Sequence, residues 1–105
     1  MRGSIFWVRL EGLRRPAIVL SPDSRNRHAP DVIVVPCATG LSQLAWHVLL
    51  KKGEGGLPGD SMVSCERIAT VRKENLLPQP LGEPLSPTRM REIEKAVISA
   101  LGIVQ

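Results

Sequence analysis

Six arginines and no lysine lie within the first thirty residues. Arg2, Arg9, Arg14, Arg15, Arg25 and Arg27 are opposed there only by Glu11 and Asp23, whereas from Asp31 onward eight Lys or Arg balance eight Asp or Glu. The whole net charge of +4 therefore belongs to that first stretch. Guanidinium groups are planar, permanently charged and donate paired hydrogen bonds, so the composition favours bidentate contacts to phosphate or carboxylate over a diffuse positive cloud. A solvated basic face has the same composition, because net charge speaks to association and not to fold.

Other residue types set narrower limits. His28 and His47 are the side chains that titrate near neutrality and so the obvious proton shuttles. His47 lies within WHVLL, where alternation turns it towards solvent or a dimer face. Thr39 ends an apolar run just before Gly40, where a hydroxyl can emerge from a sheet or simply cap a turn. Cys37 and Cys65 stand 28 residues apart in apolar runs, without a CxxC spacing or a neighbouring histidine, and are expected as buried free thiols with no metal. The Gly-rich KKGEGGLPGD stretch lacks the Lys-Ser or Lys-Thr ending and the strand-to-helix context of a nucleotide loop. By composition it is a mobile connection, with Lys51 and Lys52 able to touch phosphates.

These residues need elements to hold them. Ser4 to Leu10 is rich in β-formers and stops at Glu11-Gly12; PAIVL, Pro16 to Leu20, follows and is closed by Ser21-Pro22-Asp23. The polar SRNRHAP gives way to Val32–Ala38, a continuous apolar run expected as a strand buried on both faces at the centre of the sheet. Trp46 to Leu50 is a short strand, and Ser61 to Val71 alternates imperfectly, as a bent or interrupted strand pair would. Prolines at 78, 80, 84 and 87 make Leu77 to Ser86 an extended rim. Ser86-Pro87 then opens a helix whose apolar stripe is Met90, Ile93, Val97, Ala100 and Leu101, ended by Gly102.

Short strands followed by one helix make an α+β fold, most simply a small, strongly bent barrel with the helix across one opening. With 105 residues, 43% hydrophobic and 23% charged, residues 1–105 form a single domain with an ordinary core. Phe6, Trp7 and Trp46 are the only aromatics, so base stacking has few candidates. The apolar run at the N-terminus is short for a signal peptide and no stretch reaches membrane-spanning length, so a cytoplasmic protein without a membrane partner is expected.

Several of these segments together resemble the MazF/PemK toxins over nearly the whole chain. The opening Arg-Gly-x-Ile-aromatic pattern is Arg2-Gly3-Ser4-Ile5-Phe6. The Arg-Pro strand ending in Ser-x-Asp runs from Arg15 to Asp23, an Asn-Arg pair follows at Asn26-Arg27, and the central strand with its Pro and Thr is Val32 to Thr39. Gly56-Leu57, Asp60-Ser61, Val63 and Cys65-Glu66 match the second half of the sheet, and LSP opens the last helix. The chain departs from the pattern at Ser4, where the family usually has an acid, and in the first loop, which is cut to Glu11–Arg14. It departs again at Arg67-Ile68-Ala69-Thr70, in place of Gln-Ile-Arg followed by Thr or Ser.

The resemblance implies an SH3-like barrel of the CcdB/PemK type with a C-terminal helix, and a homodimeric endoribonuclease toxin that cuts single-stranded RNA. No metal or cofactor is implied, because the RNA 2′-hydroxyl is the nucleophile and a 2′,3′-cyclic phosphate the product. It makes Arg15 the catalytic arginine and Thr39 the catalytic hydroxyl. RNA contacts are expected from Arg14, Arg25, Arg27, His28, Lys51, Lys52 and Arg67, and neutralisation from an acidic, MazE-like antitoxin peptide. Two other readings stay open: a degenerate member that binds RNA or antitoxin without cutting, and a CcdB-like gyrase poison that would not need Arg15 or Thr39.

Overall fold

The computed structural model describes residues 1–104. Six antiparallel strands precede the main helix: β1 (Ile5–Leu10), β2 (Leu13–Val19), β3 (Asp31–Ala38), β4 (His47–Leu50), β5 (Ser61–Ser64) and β6 (Ala69–Arg72). A short helix α1 (Asp23–Asn26) joins β2 to β3, and α2 (Pro87–Leu101) closes the chain. The strand order is β1-β2-β3-β5-β4, with β6 also paired to β3.

β3 is the spine, as its apolar run requires. Its first half pairs with β6, from Asp31↔Arg72 to Val34↔Ala69, and its last two residues pair with β5 at Cys37↔Val63 and Ala38↔Met62. On β2 the register runs Val19↔Val34 to Ala17↔Pro36. This change of partner bends the sheet and gives it two apolar faces. One buries Ile5, Ile18, Val35, Cys37, Val63 and Cys65 against Met90, Ile93 and Ala96 of α2. The other packs Phe6, Val8, Ala17, Val19, Val32, Val34 and Val71.

Curling brings the segment after β6 back to β1, where Val8↔Leu76 is an isolated bridge and Leu77 N and Leu81 N donate to the Trp7 and Ile5 carbonyls without forming a regular ladder. The expected barrel is thus an open, strongly bent sheet: the turn at Lys73–Asn75 interrupts the chain between β6 and that bridge. The first loop is shorter than expected. Leu13 and Arg14 belong to β2, leaving Glu11-Gly12 as a two-residue turn with φ of 51° and 77°, both positive as such a hairpin requires.

Two further expectations change. The polar stretch after β2 contains α1, held by the buried Asn26, whose amide donates to the Ser21 carbonyl at 2.8 Å and accepts from the Ser21 hydroxyl. In α2 the buried stripe is Met90, Ile93 and Ala96, while Leu101 is 58% exposed beyond the sheet. Its ends are as expected: the Ser86 side chain accepts from Arg89 N and Gly102 takes φ 72°. Cys37 and Cys65 are free and buried.

The Gly-rich connection is pinned rather than loose. The Glu54 carboxylate accepts from Lys51 N at 2.8 Å and from Arg89 at 2.7 Å, tying the 54–56 turn to α2. At Gly56, φ is 84° and a Cβ would lie 2.3 Å from the Leu81 carbonyl oxygen, so only glycine lets the rim pass this close.

Candidate functional site

An open cleft of about 550 Å³ lies where β2 and the end of β3 meet the loop before β5. Arg14 and Arg15 line it from β2, Thr39 from the end of β3, Asp60 and Ser61 from the opposite wall, and Trp7 from β1. The β2–β3 ladder ends at Ala17↔Pro36, since Pro16 has no N–H to extend it. Two residues further along each strand stand Arg15 and Ala38, with Thr39 next. The fold thus brings Arg15 and Thr39, far apart in sequence, onto one cleft.

Each of them also faces a second hollow. Arg15 lines a cleft of about 220 Å³ with Glu11, Arg67 and Ala69. Thr39 lines one of about 180 Å³ with Gly40, Leu41 and Asp60. The main cleft thus shares Arg15 with one smaller hollow and Thr39 with the other, so that the three adjoin as one groove.

Several arginines elsewhere are neutralised: Arg2 by Glu94 at 2.7 Å, Arg25 by Asp31 at 2.6 Å, Arg89 by Glu54 and Glu92. Arg27 and Arg91, away from the groove, have no ion-pair partner among the described residues. Arg9, Arg14, Arg15 and Arg67 have no ion-pair partner among the described residues. Arg9 and Arg14 are moreover directly opposite one another in the ladder, a pairing of like charges that costs stability unless an anion intervenes. The Arg14 guanidinium lies over the Trp7 ring, 5.8 Å from its centroid.

Asp60 is the carboxylate of the main cleft. Lys52 N donates to it at 2.8 Å and the Lys51 ammonium lies 3.6 Å away, which holds its carboxyl below the usual carboxylate range against a small effect of burial. An ionised Asp60 places a negative charge among the residues lining this cleft. Lys51 and Lys52 reach the cleft through Asp60 and are not among its lining residues. Cys37 is in the cleft floor, but burial pushes its thiol up to about 12, so it is no nucleophile at neutral pH.

The remaining expected contacts fall elsewhere. Arg25, Arg27 and His28 lie at or just after α1, beside the start of β3, and the length of that strand, roughly 25 Å at 3.3 Å per residue, separates them from Thr39. Arg25 is engaged with the Asp31 carboxylate and carbonyl, while Arg27 lines a separate surface hollow with Lys73. His47 is not turned to solvent: it is 8% exposed, with Nδ1 donating to the Ser42 carbonyl and Nε2 to Glu66. Strand alternation failed there because the 39–46 segment folds back over that face. Trp7 and Asp60 were missed as cleft residues. The signal for Trp7 lay in β1, where Ile5, Trp7 and Arg9 share a face that runs from buried to exposed.

Comparison with known proteins gives a consistent picture. The family model for the PemK-like, MazF-like toxin of type II toxin–antitoxin systems matches residues 1–101. A probable endoribonuclease MazF5 of Mycobacterium tuberculosis is 33% identical over 93 residues, covering 88% of this chain and 84% of the relative. Endoribonuclease MazF of Staphylococcus epidermidis is 30% identical over 95 residues, covering 89% and 78%. A solved mycobacterial endoribonuclease in complex with its cognate antitoxin superposes with a TM-score of 0.86 at 28% identity, covering 100% of this chain and 97% of the other.

Proposed function

The chain belongs to the family of PemK-like, MazF-like toxins of type II toxin–antitoxin systems, and on that premise we propose that it cleaves single-stranded RNA at the Arg15–Thr39 cleft without a metal. The observation that carries the reading is the placing of an unpaired arginine and a strand-end hydroxyl on one cationic groove. RNA supplies its own nucleophile. The 2′-oxygen attacks the adjacent phosphorus, the bond from phosphorus to the 5′-oxygen breaks, and the products are a 2′,3′-cyclic phosphate and a 5′-hydroxyl. The protein has to hold these atoms in line and stabilise the added negative charge.

Arg15 does the second task, since its guanidinium stays charged and can donate to two phosphate oxygens. Thr39 orients the phosphate or the 2′-hydroxyl. Arg14 and Arg67, on either side of Arg15, hold neighbouring phosphates. The cationic groove equally suits the acidic tail of an antitoxin, which would compete with RNA for the same arginines. The toxin acts as a homodimer, pairing through sheet edges and the end of α2, where Leu101, Ile103 and Val104 are exposed.

Purified protein incubated with a long RNA in EDTA is expected to cleave it and leave cyclic phosphate ends. Absence of cleavage across RNAs of varied sequence overturns the reading; cleavage that needs added metal overturns its metal-free form. One observation favours a second reading, binding without turnover. Ala69 lines the Arg15–Arg67 hollow where the family pattern has arginine, and Arg67 stands where it has glutamine, so the cation of this hollow is displaced by two residues.

A further inference from the structure

Trp7 is half-buried and lines the main cleft, yet it belongs to neither apolar cluster among the described residues. Its indole N–H donates to no described residue. Of the other two aromatics, Phe6 is 6% exposed within the second cluster, and Trp46, exposed and edge-on to His47 with centroids 6.4 Å apart, lines none of the cleft around Arg15 and Thr39. A large flat ring on the wall of a polar cleft, outside the core, is placed for a ligand with a flat face.

Its surroundings say which one. Pro16 lies opposite Trp7 in the ladder, and Pro58 lines the same cleft, so two apolar rings accompany the indole among its polar lining residues. Arg14 covers the ring with a planar, delocalised cation, and Arg9 faces Arg14 with no carboxylate to reconcile them. An aromatic face flanked by two unneutralised guanidinium groups matches one repeating chemistry, a base with a phosphate on each side. An aromatic–acidic peptide has the ring but not the regular charge spacing.

We propose that Trp7 is the stacking platform for one nucleobase next to the scissile phosphate, and that Arg14 is a placeholder over the ring in the free protein. This rests on the RNA-cleaving reading above. On binding, the base takes the position of the guanidinium, and Arg14 and Arg9 turn to the flanking phosphates, which also removes their mutual repulsion. Arg14 is exposed, so it moves without unpacking the core. Every base has a π face, so the platform sets the register of the RNA at Arg15 and adds affinity without selecting a base.

The test uses a non-cleavable RNA carrying 2′-deoxyribose at the cut position. In a Trp46→Phe background Trp7 is the sole indole, and its fluorescence is expected to change with the same Kd that anisotropy of a labelled RNA reports. Replacing the base by an abasic ribose, position by position, should weaken binding to the otherwise native protein roughly ten- to a hundredfold at one site beside the cut. Trp7→Leu should abolish that sensitivity and Trp7→Phe restore most of it. RNA that binds with unchanged Trp7 fluorescence, or with no abasic position beside the cut weakening its binding to the native protein, overturns the stack and leaves the RNA reading standing. RNA that is neither bound nor cut overturns both. The fluorescence titration and the abasic scan need no change at Trp7, so misfolding of Trp7→Leu does not blunt the test.

Discussion

His47 and Glu66 share a hydrogen bond at 3.1 Å from Nε2 to the carboxylate, while the other ring nitrogen lies 2.6 Å from the Ser42 carbonyl. Both neighbours are acceptors, so the ring that satisfies both is the imidazolium. Burial alone would lower the His47 pKa. The Ser42 carbonyl and the Glu66 carboxylate outweigh it, with Arg67 opposing, and the net shift is upward from 6.5. The bond to Ser42 fastens the segment that begins at Thr39.

A pH dependence of stability follows with a definite sign. A raised His47 pKa contributes stability that is full below 6.5 and lost as pH rises through the folded-state value. For Glu66 burial pushes the pKa up, but its own backbone N–H and His47 bring it below 4.5, so its contribution is full above 4.5 and lost as pH falls. The pair is therefore strongest between these values. Urea midpoints measured from about pH 5.5 to about pH 9 should show native protein and His47→Gln converging as pH rises; a constant gap would refute the imidazolium.

Arg15→Ala should lower single-turnover cleavage by about 10²–10³, while unfolding free energy changes by less than about 0.5 kcal/mol, because the half-buried guanidinium has no ion-pair partner to lose. Thr39→Val should show a smaller loss. If both variants cut at the native rate, the chemistry lies elsewhere in the groove and Arg67 is the next candidate.

Salt should weaken RNA binding steeply, with each neutralised phosphate contributing about 0.7 to the log–log slope for a single strand. Arg14→Glu or Arg67→Glu is expected to flatten the slope by at least one such step. Arg27→Glu, at the far end of β3, should leave it unchanged. A flattening by Arg27→Glu equal to that by Arg14→Glu would mean that the RNA path extends around the sheet to α1.

Asn26→Ala should cost about 1–3 kcal/mol, because the Ser21 carbonyl and hydroxyl lose the buried amide that joins α1 to β3, where Ser21 also accepts from Ile33 N at 3.0 Å. Cleavage per folded molecule should stay native. A variant with native stability but lost RNA binding would reassign Asn26 to the substrate.

Much of this was legible in the residues. The apolar run Val32–Ala38 announced the spine, Ser86-Pro87 and Gly102 announced both ends of α2, and the motif around Arg15 and Thr39 pointed to the two residues that the cleft unites. Pairing among charges was not legible. Composition weighted Arg2, Arg14, Arg15 and Arg25 alike, but Glu94 and Asp31 reach two of them through tertiary folding and leave the other two free. His47 misled for the same reason: strand alternation is a local rule, and its ring is covered by a segment that the alternation does not describe.

The two-residue turn at Glu11-Gly12 also governs which changes of length the gene can tolerate. Leu10↔Leu13 closes the hairpin directly above Arg9↔Arg14 and Val8↔Arg15. One inserted codon would either bulge the turn or slip β2 by a residue, and a slip would exchange the faces of Arg14 and Arg15, handing the position proposed for catalysis to the other guanidinium. Point substitutions at the tip leave that order intact, and paired insertions can preserve it. The reading frame of this hairpin, counted in residues modulo two, is thus under stronger constraint than the identity of its tip.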